Sequence, residues 1–225
     1  MFNHILTSVI GSHPKIQDAI KYYEDDYRII AVVADGLGSR PRSAEGARRI
    51  CKFVIDELKS VTLPLKTTDL YSPQKWNDYY DSKKLSSDDY CTTCSFAVIE
   101  KKEKMICIGQ IGDSPIFVRI DEAPVVEMRQ EKDFSNITDC LGGKTIKSFL
   151  VKNYTYNSSL KVLVTSDGIG DELESSTLES MLAYLSETYQ GFSPKYRSRR
   201  FTKEIKATIG NVNNDDKSAI FIWST

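Results

Sequence analysis

The chain has 225 residues, 40% of them hydrophobic and 27% charged, which suits one globular domain over 1–225 and excludes a fibrous or disordered chain. Its 30 Lys and Arg nearly balance 31 Asp and Glu, so a net charge of -1 supplies no long-range attraction to nucleic acid or to an acidic membrane. The longest apolar run, Ile29–Ala34, is far shorter than the ~20 residues that cross a bilayer, and the opening MFNHILTSVIGSHPK lacks the features of a secretory signal; a cytoplasmic monomer is the expectation.

In chain order, Ala19–Tyr23 and Arg28–Ala34 read as two strands joined by a turn at Glu24-Asp25-Asp26. The second ends abruptly: VVADGLGSR passes from apolar residues to Asp35, Gly36 and Gly38, which puts a carboxylate at a strand mouth beside unshielded backbone. On that stretch alone an Asx-type turn and a cation or phosphate site both stay open. A helix follows, with Ser43 as its N-cap and Ala44, Ala47, Ile50, Cys51, Val54 and Leu58 as one stripe. A more polar helix is expected over Pro73–Lys84, where Trp76, Tyr79 and Tyr80 form either a protein-docking patch or a cover for the core edge.

Beyond it, SFAVIE and MICIGQI flank a charged turn and read as a hairpin; IGDSPIFVRI bends at Gly112-Asp113-Ser114; KVLVTSDGIG again ends an apolar strand on Asp167-Gly168. Leu178, Met181, Leu182, Leu185 and Tyr189 make a helical stripe, and a second helix covers Phe201–Ile209. The basic run PKYRSRRFTK reads as a solvated helix start, or as a face for an acidic partner. A strand, Ala219–Trp223, closes the chain directly after Asp215-Asp216. Strands outnumber helices and are mostly joined by hairpins, which favours an α+β fold with antiparallel sheets. Five cysteines, an odd number, suit reduced thiols, and Cys91-Thr92-Thr93-Cys94 enters a strand without a second pair to complete a zinc site.

Asp35, Asp113, Asp167 and Asp215 thus all lie at the edges of apolar strands. Four such aspartates can be turn formers and no more. Their order and wording, however, resemble the metal-dependent serine/threonine phosphatases of the protein phosphatase 2C type in a compact, bacterial-like single-domain form. VVADGLGS matches that family's Asp-Gly, SAEGARRICKFVIDEL its helix, CTTCSFAVI its Gly-Thr-Thr strand and IGDSPIFV its Gly-Asp-Ser turn. ITDCLGG matches its Leu-Gly segment, VTSDGIGDEL its Ser-Asp-Gly and DDKSAIFIW its terminal Asp-Asn and strand, while IQDAI is a partial match to its upstream Glu-Asp. The collinear match spans roughly residues 8–223.

The resemblance implies two stacked antiparallel β-sheets flanked by α-helices, a four-layer α-β-β-α sandwich holding two Mg2+ or Mn2+ ions. Asp35 would bridge both ions, the Gly36 carbonyl would ligate one, and Asp167 and Asp215 would complete the other. Asp18 matches an acid that holds a metal-bound water, and Asp113 with Asp167 matches the place of a third ion in some members. The implied reaction is hydrolysis of phosphoserine or phosphothreonine in a protein substrate, itself the target of a partner Ser/Thr kinase, by a metal-activated water with no phosphorylated enzyme residue. Elementary electrostatics agrees: two carboxylates ~4 Å apart repel by about 4 kcal/mol at an effective dielectric typical of protein surfaces, and divalent cations convert that repulsion into attraction. Oxygen ligands without a His or Cys cluster favour Mg2+ or Mn2+ over zinc.

The chain also departs from the pattern. His13 stands where the family usually has a phosphate-binding arginine, and an imidazole cannot copy a bidentate guanidinium; Lys15, and Arg40 or Arg42 beyond the turn, are the cations available to replace it. Gln17 replaces an acid beside Asp18, Leu37 replaces a histidine found in some members, and Asp216 replaces the usual Asn, as a neutral exchange or an extra weak ligand. These departures leave a second reading, a pseudophosphatase or phosphoprotein-binding module with weak or no turnover. A nucleotide-binding reading of DGLGS fails because neither Walker nor GxGxxG spacing occurs. The short interval between IGDSPIFV and VTSDGIG leaves little room for a large substrate flap.

Overall fold

Strand β3 (Arg28–Ala34) is apolar on both faces because each face meets a different core. Ile29, Ala31 and Val33 point into one cluster, while Ile30, Val32 and Ala34 point into another. The computed structural model describes residues 1–130, 138–142 and 147–224, and among them ten strands form two five-stranded sheets. The β3 sheet runs in the order β2 (Ala19–Glu24), β3, β4 (Cys94–Glu100), β5 (Met105–Ile111), β8 (Leu150–Thr155). The other runs β1 (Phe2–Val9), β10 (Lys217–Ser224), β9 (Leu160–Thr165), β6 (Ile116–Ile120), β7 (Val126–Met128), and every pairing in both is antiparallel.

Between the sheets, Ile29, Val33 and Ile108 meet Val118, Val162 and Ile220. The outer face of the β3 sheet is covered by α1 (Ser43–Leu58) and α2 (Ser72–Ser82) through Ile50, Val54 and Trp76. The outer face of the β10 sheet is covered by α4 (Leu178–Tyr189) and α5 (Pro194–Thr208) through Leu182, Leu185 and Phe201. The result is the expected α+β sandwich of four layers. Antiparallel sheets commonly keep one wet face, but here helices cover both outer faces, so central strands lose the polar alternation that would mark them.

Three strands have no counterpart in the sequence reading: β1, β7 and β8. Each lies at a sheet edge, where polar side chains such as Asn3, Lys152 and Asn153 are tolerated and hide the period. Ser43 is not the N-cap. Arg42 holds that position without a side-chain cap, and Ser43 is the buried first residue of α1. The helix expected over Phe201–Ile209 starts at Pro194, whose fixed φ suits a first turn. Of the basic residues in that run Lys195, Arg199, Arg200 and Lys203 are exposed, whereas Arg197 is buried with its guanidinium 5.2 Å from the Trp223 ring. Trp76 and Tyr80 are fully buried against α1, so they belong to the core and not to a docking patch. Parts of ITDCLGG, namely Ile137 and Gly143, and residues 131–137 and 143–146 of the stretch expected to lack a flap lie outside the described residues. No described helix is long and apolar enough to cross a membrane.

Gly109 on β5 pairs with Phe96 on β4, and a Cβ there would sit 2.2 Å from the Phe96 ring. Gly109→Val is expected to cost ~1–3 kcal/mol through displacement of that ring. Gly191→Ala, where nothing lies within 4 Å, should change stability by less than ~0.5 kcal/mol. Urea denaturation midpoints of the two variants check the contrast.

Candidate active site

The predicted acids come from one end of both sheets. Asp35 follows β3 and is held by its backbone: its carbonyl accepts from Thr92 Oγ1 (2.7 Å) and Thr93 N–H (2.8 Å), and its own N–H donates to Thr93 Oγ1 (3.3 Å). A Cβ on Gly36 would lie 2.7 Å from the Ser43 carbonyl carbon and 2.9 Å from the Gln17 carbonyl oxygen, so only glycine lets the turn pass between α1 and the β1–β2 loop. On the other sheet, Asp167 opens the short helix α3 (Asp167–Gly170) after β9, and Asp215 precedes β10.

Asp216 has a role of its own. Its carboxylate accepts from the N–H groups of Gly11 (2.7 Å), Gln17 (2.5 Å) and Asp18 (3.3 Å), so it clasps the β1–β2 loop to the start of β10. It is therefore an anchor for backbone amides as well as one of the acids lining the cleft. Next to it, Lys217 is wholly buried, and its ammonium donates to the Asp215 carbonyl (2.7 Å), the Asn213 carbonyl (3.0 Å) and Asn213 Oδ1 (2.8 Å). Those bonds use all three of its protons and fix the loop that presents Asp215.

These elements enclose a cleft of about 190 Å³ whose walls include His13, Asp35, Asp113, Asp167 and Asp215. The Asp35 carboxyl is in hydrogen-bond contact with those of Asp18 and Asp167, while Asp113 and Asp215 act on Asp167 through their charge. Burial lifts the Asp18 carboxyl to about 7, against the pull of the Ser166 and Ser218 hydroxyls. Burial, then the charges of Asp113 and Asp215, lift Asp167 to about 6. Burial and the neighbouring acids Asp18 and Asp167 push Asp35 well above the usual carboxylate range. Asp18 Oδ2 is buried without a hydrogen-bond donor, an unusual state for a carboxylate oxygen. Among the described residues no three such side chains close on one point; the acids are strung in pairs, from Asp18 to Asp35 to Asp167.

Of the sequence-predicted residues, Asp35, Gly36, Asp113, Asp167, Asp215 and His13 line the cleft, and Asp18 lies beneath Asp35. Lys15 is exposed on the β1–β2 loop and is not part of the lining. Arg40 is drawn to Asp88, 2.8 Å away, and does not line the cleft either. His13 is the one basic side chain among the described lining residues. Sequence reasoning missed Thr93, Ser166, Ser218 and Lys217. A lysine beside a chain terminus strand normally signals solvent, and nothing in DDKSAIFIW marks Lys217 as buried.

A protein phosphatase 2C family model matches residues 7–206, a stretch that ends before Asp215. No curated protein is matched by sequence. Among solved structures, the S. agalactiae serine/threonine phosphatase is 16% identical with a TM-score of 0.69, covering 99% of each chain. RsbX in complex with magnesium is 15% identical with a TM-score of 0.67, over 100% of this chain and 96% of that one. The catalytic domain of the serine/threonine protein phosphatase PstP, in complex with two manganese ions, is 12% identical with a TM-score of 0.65, over 99% and 97%. At such identities the likeness is one of fold, but the family match covers most of the residues, and the chain belongs to the protein phosphatase 2C family.

Proposed function

We propose that the protein is a metal-dependent phosphoprotein phosphatase acting on phosphoserine and phosphothreonine, with two Mg2+ or Mn2+ ions at the acid cleft. The observation that carries this reading is the contact of Asp35 with both Asp18 and Asp167 in a cleft whose described walls offer no Lys or Arg. Carboxylates so placed repel unless protons or cations lie among them. The donor set, carboxylates with the Gly36 carbonyl, suits hard divalent ions, and the unpartnered Asp18 Oδ2 supplies a free acceptor.

Asp35 would serve both ions, Gly36 one of them, and Asp167 and Asp215 the other; Asp18 supports from beneath, and Asp113 with Asp167 offers a place for a third. Bound there, the ions supply the positive charge that activates a water for in-line attack on phosphorus and offsets charge on the phosphoryl oxygens. The chain does the positioning. Thr92 and Thr93 hold the Asp35 backbone, Lys217 holds the Asp215 loop, and Asp216 keeps Asp18 below Asp35. His13 is the lining side chain able to donate to a substrate phosphate, and Leu37 contributes no proton to the leaving oxygen. A single-domain monomer acting on a protein substrate of a paired Ser/Thr kinase completes the reading.

The lack of a guanidinium among the described lining residues favours a second reading, a phosphoprotein-binding module with little turnover. One assay separates the two. Release of phosphate from a phosphothreonine peptide in Mn2+ should be readily measured for the native protein and fall to background in Asp35→Asn and Asp167→Asn; peptide binding without release in the native protein selects the second reading.

Acids with raised folded-state values contribute stability that is complete below the unfolded value near 3.9 and is lost as pH rises through about 6 for Asp167 and about 7 for Asp18. His4, lowered by burial, opposes this below its ordinary 6.5, one imidazole against three acids. Thermal melting in chelator should therefore give a higher midpoint at pH 5 than at pH 7.5, and excess Mn2+ should raise the midpoint most at the higher pH. Equal midpoints at both pH values without metal would remove the electrostatic basis of the site.

A further inference from the structure

The sequence pair Cys91 and Cys94 does not come together; each meets a different thiol. Cys94 faces Cys51 inside the core, and both are sealed there. Cys91 instead is in hydrogen-bond contact with Cys140, from a distant part of the chain. Their backbones are already joined: Thr92 N–H donates to the Leu141 carbonyl (3.1 Å) and Leu141 N–H to the Thr92 carbonyl (2.8 Å), an antiparallel bridge that makes the two cysteines diagonal neighbours. Position 142 leaves room for the sulfur, since a Cβ on Gly142 would lie 2.8 Å from Cys91 Sγ.

The two thiols differ in the way a sensing and a resolving cysteine differ. Cys140 is half-buried and reachable from solvent, while Cys91 is buried, with its sulfur 3.7 Å from Asp88 Oδ1. The hydrogen bond from Cys91 and the nearby Arg40 guanidinium hold the Cys140 thiol below its ordinary value; the partnership with Cys140 and burial push Cys91 up. Burial pushes Cys51, Cys94 and Cys107 up as well, Cys107 to about 12, which leaves them inert as nucleophiles.

We infer that Cys91 and Cys140 form a reversible dithiol–disulfide site that a hydroperoxide oxidises. The Cys140 thiolate sulfur attacks the peroxide O–O bond, which breaks as an S–O bond forms; the leaving oxygen takes a proton and departs as water or an alcohol. Cys91 sulfur then attacks Cys140 sulfur, the S–S bond forms, the S–O bond breaks, and the released hydroxide takes the Cys91 proton to become water. Two thiols supply two electrons, and the peroxide is reduced by two.

The link would tie together two walls of the acid cleft. Cys91 immediately precedes Thr92 and Thr93, which hold Asp35, and Cys140 lies two residues beyond Thr138, whose hydroxyl donates to Asp113 Oδ2 at 3.0 Å. The site does not depend on the phosphatase reading, and its test uses no turnover.

The native chain is treated with hydrogen peroxide, alkylated and mapped by peptide mass spectrometry. One Cys91–Cys140 linked peptide, two hydrogens lighter than the free pair and restored by dithiothreitol, is the expected product. The linked protein should melt roughly 5–10 °C higher, because the bridge restrains a long loop of the unfolded chain. Cys91→Ser should stop at a sulfenic acid on Cys140 that dimedone traps, and Cys140→Ser should give neither adduct nor link. Over-oxidation of Cys140 in the native chain without a link, or a link that uses Cys51, Cys94, Cys107 or a second chain, would overturn the inference.

Discussion

Mutual repulsion among acids at one end of the sandwich is the constraint around which the rest is built. Asp18, Asp35 and Asp167 are held in contact by the groups around them. Thr92 and Thr93 grip the Asp35 backbone, Lys217 grips the loop of Asp215, and the Asp216 carboxylate gathers three amides of the β1–β2 loop. Left to itself, the cluster relieves its repulsion by keeping protons, which is why burial and neighbours raise these carboxyls. The proposed ions would relieve it differently, and the scaffold is what keeps the acids together until they arrive.

Burial on both sheet faces serves the same end. Helices α1 and α2 on one side and α4 and α5 on the other cover the outer faces of the central strands, so the ends of those strands are fixed by packing along their length and their loops inherit that rigidity. Gly36 is a local instance: the turn after Asp35 passes so close to Ser43 and Gln17 that no side chain fits.

Central strands were legible in the sequence for the reason that edge strands were not. Ile29–Ala34 and Ala219–Trp223 are apolar throughout because each side of the sheet meets a core. In β8, by contrast, Lys152 and Asn153 interrupt the pattern at a sheet edge, and β1 carries Asn3 and His4. The helix start at Pro194 was obscured because its one core-facing residue in that turn is an arginine stacked on Trp223, which a hydrophobic stripe cannot register. At the site, strand-end aspartates followed by Gly could be read from spacing and resemblance. The cations could not: Lys15 and Arg40 lie near the right residues in sequence, but exposure takes one and Asp88 takes the other, whereas Lys217, never singled out, is buried and holds the loop of Asp215.

Strand β1 pairs residue by residue with β10, Phe2 opposite Ser224 and Val9 opposite Lys217, and Asp216 hooks the loop that follows β1. The first and last strands of the fold are thus stitched to each other at the very place where the acids meet. A partly synthesised chain that lacks β10 leaves β1 without its partner and the loop after β1 without its anchor, so it has no means of assembling the cleft. Whatever chemistry the cleft performs waits for β10.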